Sequence, residues 1–183
     1  MRRAEIDFQR LAAAFAPDGL HGVSMDDVAR AAGVAKPTLY RDHSSKEELF
    51  AACVAAEVER LLERVYVAFA RALAESLPGL VAAAAGALLP HAREHPSGFR
   101  LLFVTAPHAS STVAADVDDA LARIPDRIGE LLSRHAAWPA DADAELVAVA
   151  LTATAAALVQ RADEPWDRVA VAERLGALLA PAR

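Results

Sequence analysis

Ser24-Met25-Asp26-Asp27-Val28-Ala29-Arg30-Ala31-Ala32-Gly33-Val34-Ala35-Lys36-Pro37-Thr38-Leu39-Tyr40-Arg41-Asp42-His43 reads as two short helices folded about a glycine. Ser24, with Asp27 three residues on, resembles a capping box in which Asp stands for Glu, and it opens a helix through Ala31. Gly33 breaks that helix, because glycine takes the positive φ of a tight interhelical turn at the least steric cost. The next helix begins around Ala35 to Pro37, where first-turn amides have no intrahelical partner and proline is tolerated, and runs to about Arg41. Val28, Ala29, Val34 and Leu39 are spaced to pack the pair together, which leaves Lys36, Thr38, Tyr40 and Arg41 facing outward. A compact helix of the size of the second one fits the major groove of DNA.

Working outward, Phe8, Leu11, Ala12 and Phe15 place a helix over residues 4 to 16 that stops at Pro17-Asp18-Gly19. On the other side Ser44 and Ser45, each with a glutamate three residues on, cap a long helix reaching Glu75, and Pro78-Gly79 ends it. Helices follow over 80 to 94, 97 to 104, 112 to 136, 142 to 163 and 166 to 180, punctuated by Pro90, Pro96, Pro107, Pro125, Pro139, Pro165 and Pro181. The fold class is all-α, with residues 1–48 as a three-helix module and 49–183 as a larger helical domain.

The 183 residues are 55% hydrophobic with alanine dominant, and β-branched and aromatic residues are too sparse to build a sheet. Cys53 is the single cysteine, which excludes an intramolecular disulfide and a Cys-based zinc site and suits a reducing cytoplasm. No export signal is visible, and the longest apolar runs, Leu80 to Leu89 and Leu146 to Val159, are shorter than the roughly 20 residues a membrane span requires. A net charge of −6 argues against indiscriminate attraction to nucleic acid, so any DNA contact rests on a local patch. The only two lysines, Lys36 and Lys46, both fall within the N-terminal module. Residues 1–50 nevertheless hold seven basic against eight acidic groups, so placement rather than bulk charge must supply specificity.

The strings Gly33-Val34-Ala35-Lys36-Pro37-Thr38-Leu39-Tyr40 and Ser45-Lys46-Glu47-Glu48-Leu49, with Phe15 to Gly19 before them, resemble the TetR/AcrR family of transcriptional regulators. The resemblance implies about nine helices, a helix-turn-helix DNA-binding domain and a C-terminal domain that dimerises and binds a ligand. It implies base or phosphate contact by Lys36, Pro37, Thr38, Tyr40 and Arg41, with Lys46 gripping phosphate. The chemistry agrees: Lys36 suits guanine O6 or N7, Pro37 and Thr38 offer apolar surface to thymine methyls, and Tyr40 suits a phosphate. Three positions depart from the family pattern: Ala35 replaces a common serine cap, Asp42 places a carboxylate where phosphate approaches, and His43 replaces a core Phe. The implied function is a cytoplasmic, homodimeric regulator, most often a repressor, released from a palindromic operator by a small molecule.

Leu146 to Val159 is apolar around its whole circumference and calls for burial on both sides, and Trp166, Val169, Leu175, Leu178 and Leu179 follow. The family's last two helices pair with those of a second subunit, which this composition suits; burial within one chain is the alternative. Phe99, Arg100, Phe103, Thr105 and His108 combine aromatic surface with polar anchors, as a ligand pocket does, while core packing explains the phenylalanines equally well. His91-Ala92-Arg93-Glu94-His95 has the order of a zinc-protease motif, but no further ligand is identifiable, and capping with solvent exposure accounts for it better. No metal, cofactor or enzymatic activity is expected. The rival readings are a helical small-molecule-binding protein without DNA binding and, more remotely, a zinc-dependent hydrolase.

Overall fold

Asp7 starts the first helix by accepting the amides of Gln9 and Arg10 on its carboxylate, so α1 covers Phe8–Phe15. The computed structural model describes residues 6–72, 75–109, 112–136 and 138–160. Within them the chain is helical and contains no strand: α1, α2 (Gly19–Gly22), α3 (Met25–Ala32), α4 (Lys36–Asp42), α5 (Lys46–Ala72), α6 (Leu77–Glu94), α7 (Pro96–Arg100), a π-helical turn (Leu101–Thr105), a 3-10 turn (Ala106–His108), α8 (Ala114–Ser133) and α9 (Ala144–Gln160). The all-α reading therefore holds. The helix expected over 166 to 180 lies outside the described residues.

Several boundaries differ from expectation for local reasons. Pro17-Asp18-Gly19 ends α1 but also opens the unforeseen α2, with Gly19 at φ +69° supplying the left-handed residue between them. Pro78-Gly79, expected as the stop after α5, sits in the first turn of α6, where proline is tolerated. Pro90 and Pro125 do not punctuate; each lies inside a helix. The run expected as one helix over 97 to 104 is instead a short α7 that widens into the π turn.

Contacts divide the chain into two compact units, one from Met1–Glu59 with His95–Leu121 and the other from Arg60–Glu94 with Ala122–Arg183. In the first, Leu11, Phe15, Val28, Leu39, Leu49, Phe50, Leu101 and Leu102 are all buried, and the rings of Phe15 and Phe50 meet edge to face at 5.2 Å. Segment 95–109 thus packs with the N-terminal helices; Gln9 Nε2 and His95 Nδ1 lie 3.2 Å apart. In the second, Leu61, Leu62, Val65, Leu80, Leu88, Ile128, Leu132 and Leu151 form the core. Gly129 lets α8 approach the start of α9, since a Cβ there would stand 3.3 Å from the Ala144 carbonyl oxygen. No helix among the described residues is long and apolar enough to cross a membrane.

Candidate nucleic-acid interface

The turn between α3 and α4 is built by three local devices. Ser24 and Asp27 close a reciprocal capping box: the Asp27 amide donates to Ser24 Oγ at 3.2 Å and the Ser24 amide to Asp27 Oδ2 at 3.4 Å. The Ser24 hydroxyl and the Arg30 guanidinium both donate to the same carboxyl and hold its pKa below the usual aspartate range. Gly33 ends α3 at φ +70°, and the Val34 amide reaches back to the Ala29 carbonyl at 3.1 Å, the return bond of a Schellman ending. α4 then starts on Ala35, an extended N-cap with no side-chain hydrogen bond, with Pro37 in the first turn.

Leu39 is fully buried, against a core that also contains Val28, Ala29 and Ala32. Pro37, Tyr40 and Arg41 are exposed, Tyr40 by 44%, and Lys36 and Thr38 are half-buried. The five recognition-helix residues singled out from the sequence thus occupy one seven-residue helix whose inner side is taken by Leu39. His43 packs edge-on to Phe8 with ring centroids 6.3 Å apart.

Each lysine meets the entry to α3. Lys36 Nζ lies 3.1 and 3.2 Å from the two carboxylate oxygens of Asp26, and Lys46 Nζ donates to the Val23 carbonyl at 3.0 Å. Lys46 is the first residue of α5, whose start is capped twice: Ser45 Oγ accepts the Glu48 amide at 3.0 Å, and Ser44 donates to Glu48 Oε2 through its amide at 2.7 Å and its hydroxyl at 2.6 Å. Those Ser44 bonds lower the Glu48 pKa. Lys46 Nζ is thus set against a neutral backbone carbonyl, and Lys36 Nζ against a carboxylate.

The second candidate set divides. Arg100, Thr105 and His108 line a cleft of about 250 Å³ together with Pro17 to His21, Phe50, Val104 and Ala109. Phe99 and Phe103 do not line it; their rings pack against each other, tilted by 42°, with centroids 4.5 Å apart, and Phe99 is buried. Two of the polar anchors are already engaged: Arg100 Nε donates to the Ala16 carbonyl at 3.0 Å and Thr105 Oγ1 to the same oxygen at 2.7 Å. Ala16 follows the last residue of α1, so these side chains satisfy a carbonyl that the helix leaves open. Sequence reading missed this partner, because a backbone carbonyl leaves no mark on residue identity.

His91 is fully buried, which corrects the expectation of solvent exposure for that side chain, while His95 is the N-cap residue of α7. Among the described residues no group of three or more His, Cys, Asp or Glu side chains is placed to hold a metal ion. Cys53 is buried, its Sγ 3.6 Å from the Phe8 carbonyl oxygen, as a small core residue.

Residues 11–53 match the tetR family of bacterial regulatory proteins. The HTH-type transcriptional activator FasR of Mycolicibacterium smegmatis is 34% identical over 139 residues, 76% of this chain. The chain spans 62% of that relative's length. Among solved structures, a TetR-like transcriptional regulator from Rhodococcus sp. RHA1 is 26% identical, with a TM-score of 0.69 over 93% of this chain and 91% of that one. The fatty acid degradation regulator FadR of Bacillus halodurans shares the fold at a TM-score of 0.80 and 16% identity, over 94% and 95% of the two chains. FadR of Bacillus subtilis, solved with stearoyl-CoA, does so at 0.75 and 16%, over 94% and 96%.

Proposed function

The chain belongs to the tetR family of bacterial regulatory proteins through its N-terminal module, and on that premise we propose that it is a homodimeric, sequence-specific DNA-binding regulator whose hold on a palindromic operator is released by a small molecule. Residues 1–48 bind DNA in this reading, and 49–183 sense the effector and dimerise. The observation that carries it is the outer side of α4: Pro37, Tyr40 and Arg41 exposed, Lys36 and Thr38 half-exposed, all on a helix anchored by buried Leu39. Lys46, held on the Val23 carbonyl, supplies a fixed cation at the start of the next helix for the phosphate backbone.

The effector proposed is an apolar molecule with at least one polar or acidic group, recognised around Arg100, Thr105 and His108, with Phe99 and Phe103 packed against each other rather than lining the cleft. A fatty acyl thioester, which the Bacillus subtilis FadR holds, is of that class. The cleft beside Arg100, at about 250 Å³, is below the usual range for a drug-sized ligand, so it suits the polar end rather than a whole acyl chain. As to the sign of regulation, repression is the family's common mode, while the Mycolicibacterium relative is named an activator.

Enrichment of fragments from a random-sequence duplex pool tests the reading. The wild-type chain is expected to enrich an inverted repeat. Lys36→Ala should lose about 1 to 3 kcal/mol on that sequence and relax choice at one position per half-site. Lys46→Ala should weaken all sequences alike and flatten the salt slope by about one unit. Failure to enrich any sequence favours the rival, a ligand-binding protein without DNA binding, for which the acidic balance of the first 50 residues is the argument.

A further inference from the structure

Of the two acidic residues in the first turn of α3, only Asp27 builds the helix start; it exchanges hydrogen bonds with Ser24 and takes another from Arg30. Asp26 takes no part in that cap. Its side chain is 69% exposed, and both of its oxygens lie on Lys36 Nζ, on the following helix, at 3.1 and 3.2 Å. An ion pair this exposed contributes little to folding, generally below about 1 kcal/mol. Its effect on a polyanion is larger in principle. An isolated ammonium gains affinity from any nearby phosphate through release of condensed counterions, whatever the sequence. Paired with Asp26, Lys36 presents a dipole to distant phosphates, and only a close acceptor in the right place draws on its remaining hydrogens. The O6 and N7 atoms of guanine form such an acceptor in the major groove. The carboxylate itself also repels backbone phosphate in every register.

We propose that Asp26 is a specificity-determining residue: by pairing with Lys36 across the two helices it suppresses sequence-independent binding more than binding to the preferred operator. The two lysines then divide their work, Lys46 for phosphate and Lys36 for a base edge. This rests on the reading that Lys36 meets DNA.

The test is a cycle of wild type, Asp26→Asn, Lys36→Ala and the double variant, each measured against a random-sequence duplex and against the duplex that wild type enriches, over a range of salt. Asp26→Asn is close to isosteric at an exposed position, and its melting temperature should match wild type. It is expected to raise affinity for the random duplex about three- to tenfold, to raise operator affinity less, and to steepen the salt slope by about one unit. Both effects should shrink markedly in the Lys36→Ala background, where only the carboxylate's direct repulsion of phosphate is left to remove. Unchanged affinities, or an equal gain with and without Lys36, overturn the proposal, the second by showing general charge removal rather than release of Lys36. If wild type distinguishes no sequence from random, the DNA-binding reading itself fails and takes this one with it. A preference for the enriched duplex that persists while Asp26→Asn changes nothing sinks Asp26 alone.

Discussion

Ala35 occupies an N-cap with extended geometry, φ −73° and ψ 143°, and has no side chain to accept the first amides of α4. Ala35→Ser places a hydroxyl at that point without disturbing the core, since the residue is exposed. It should stabilise the chain by about 1 kcal/mol in denaturant unfolding, and no gain would mean that solvent already satisfies those amides. Asp27 gives a complementary prediction with pH. Hydrogen bonds from the Ser24 side chain, then from Arg30 and the Ser24 backbone, depress its folded pKa below the ordinary 3.8. A depressed carboxylate contributes stability above its unfolded pKa and loses it as pH falls through the folded value. The melting-temperature gap between wild type and Asp27→Ala should therefore hold steady at neutral pH and narrow below about pH 4; a gap independent of pH would assign the whole effect to packing.

At the scale of elements, the end of α1 is held by the segment after α7. Gly19 stands at φ +69°, and a Cβ there would meet Thr105 Cγ2 at 3.2 Å, while the Thr105 hydroxyl and Arg100 share the Ala16 carbonyl. Gly19→Ala should cost about 1 to 2 kcal/mol from the left-handed backbone alone. The added contact with the methyl is separable, because Thr105→Ser keeps the hydroxyl and removes Cγ2. Unfolding of Gly19→Ala should cost less in the Thr105→Ser background, and equal costs in both would show that the methyl moves aside freely. This region also marks where sequence ceased to be informative. Ser24, Asp27, Gly33 and Pro37 act through local chemistry that each residue type declares, so α3, α4 and the outward position of Tyr40 and Arg41 were legible. The π turn over Leu101–Thr105 contains no glycine or proline to mark it, and the engagement of Arg100 with Ala16, 84 positions away, depends on tertiary packing. The burial of His91 is hidden for the same reason: Arg93, Glu94 and Pro96 mark the end of α6, but which side of its last turns faces inward depends on tertiary packing.

For the whole molecule, the decisive surface is on α9. The expectation that this helix is buried on both sides is met on one side within the chain, where Ala148, Leu151 and Ala156 are buried. Leu146, Val149, Ala153 and Ala157, spaced three and four residues apart and so aligned on one helical face, are exposed, Leu146 by 65% and Val149 by 45%. An aligned apolar row facing water is unfavourable for an isolated chain and favourable as a contact between copies. In a two-fold dimer the same row meets itself, so small Ala153 and Ala157 would let two backbones approach closely. Ala153→Arg sets a charge and a long side chain in the middle of the row without touching the buried side. Light scattering should then give a dimer for wild type at micromolar concentration and a monomer for the variant, with helical content unchanged by circular dichroism. The consequence for DNA follows from symmetry. Two identical recognition helices related by a two-fold axis read an inverted repeat, and a monomer engages a single half-site. Ala153→Arg should therefore lose affinity for the full repeat while matching wild type on an isolated half-site. A wild-type monomer at that concentration, or a variant that remains dimeric, would move the interface off this face of α9.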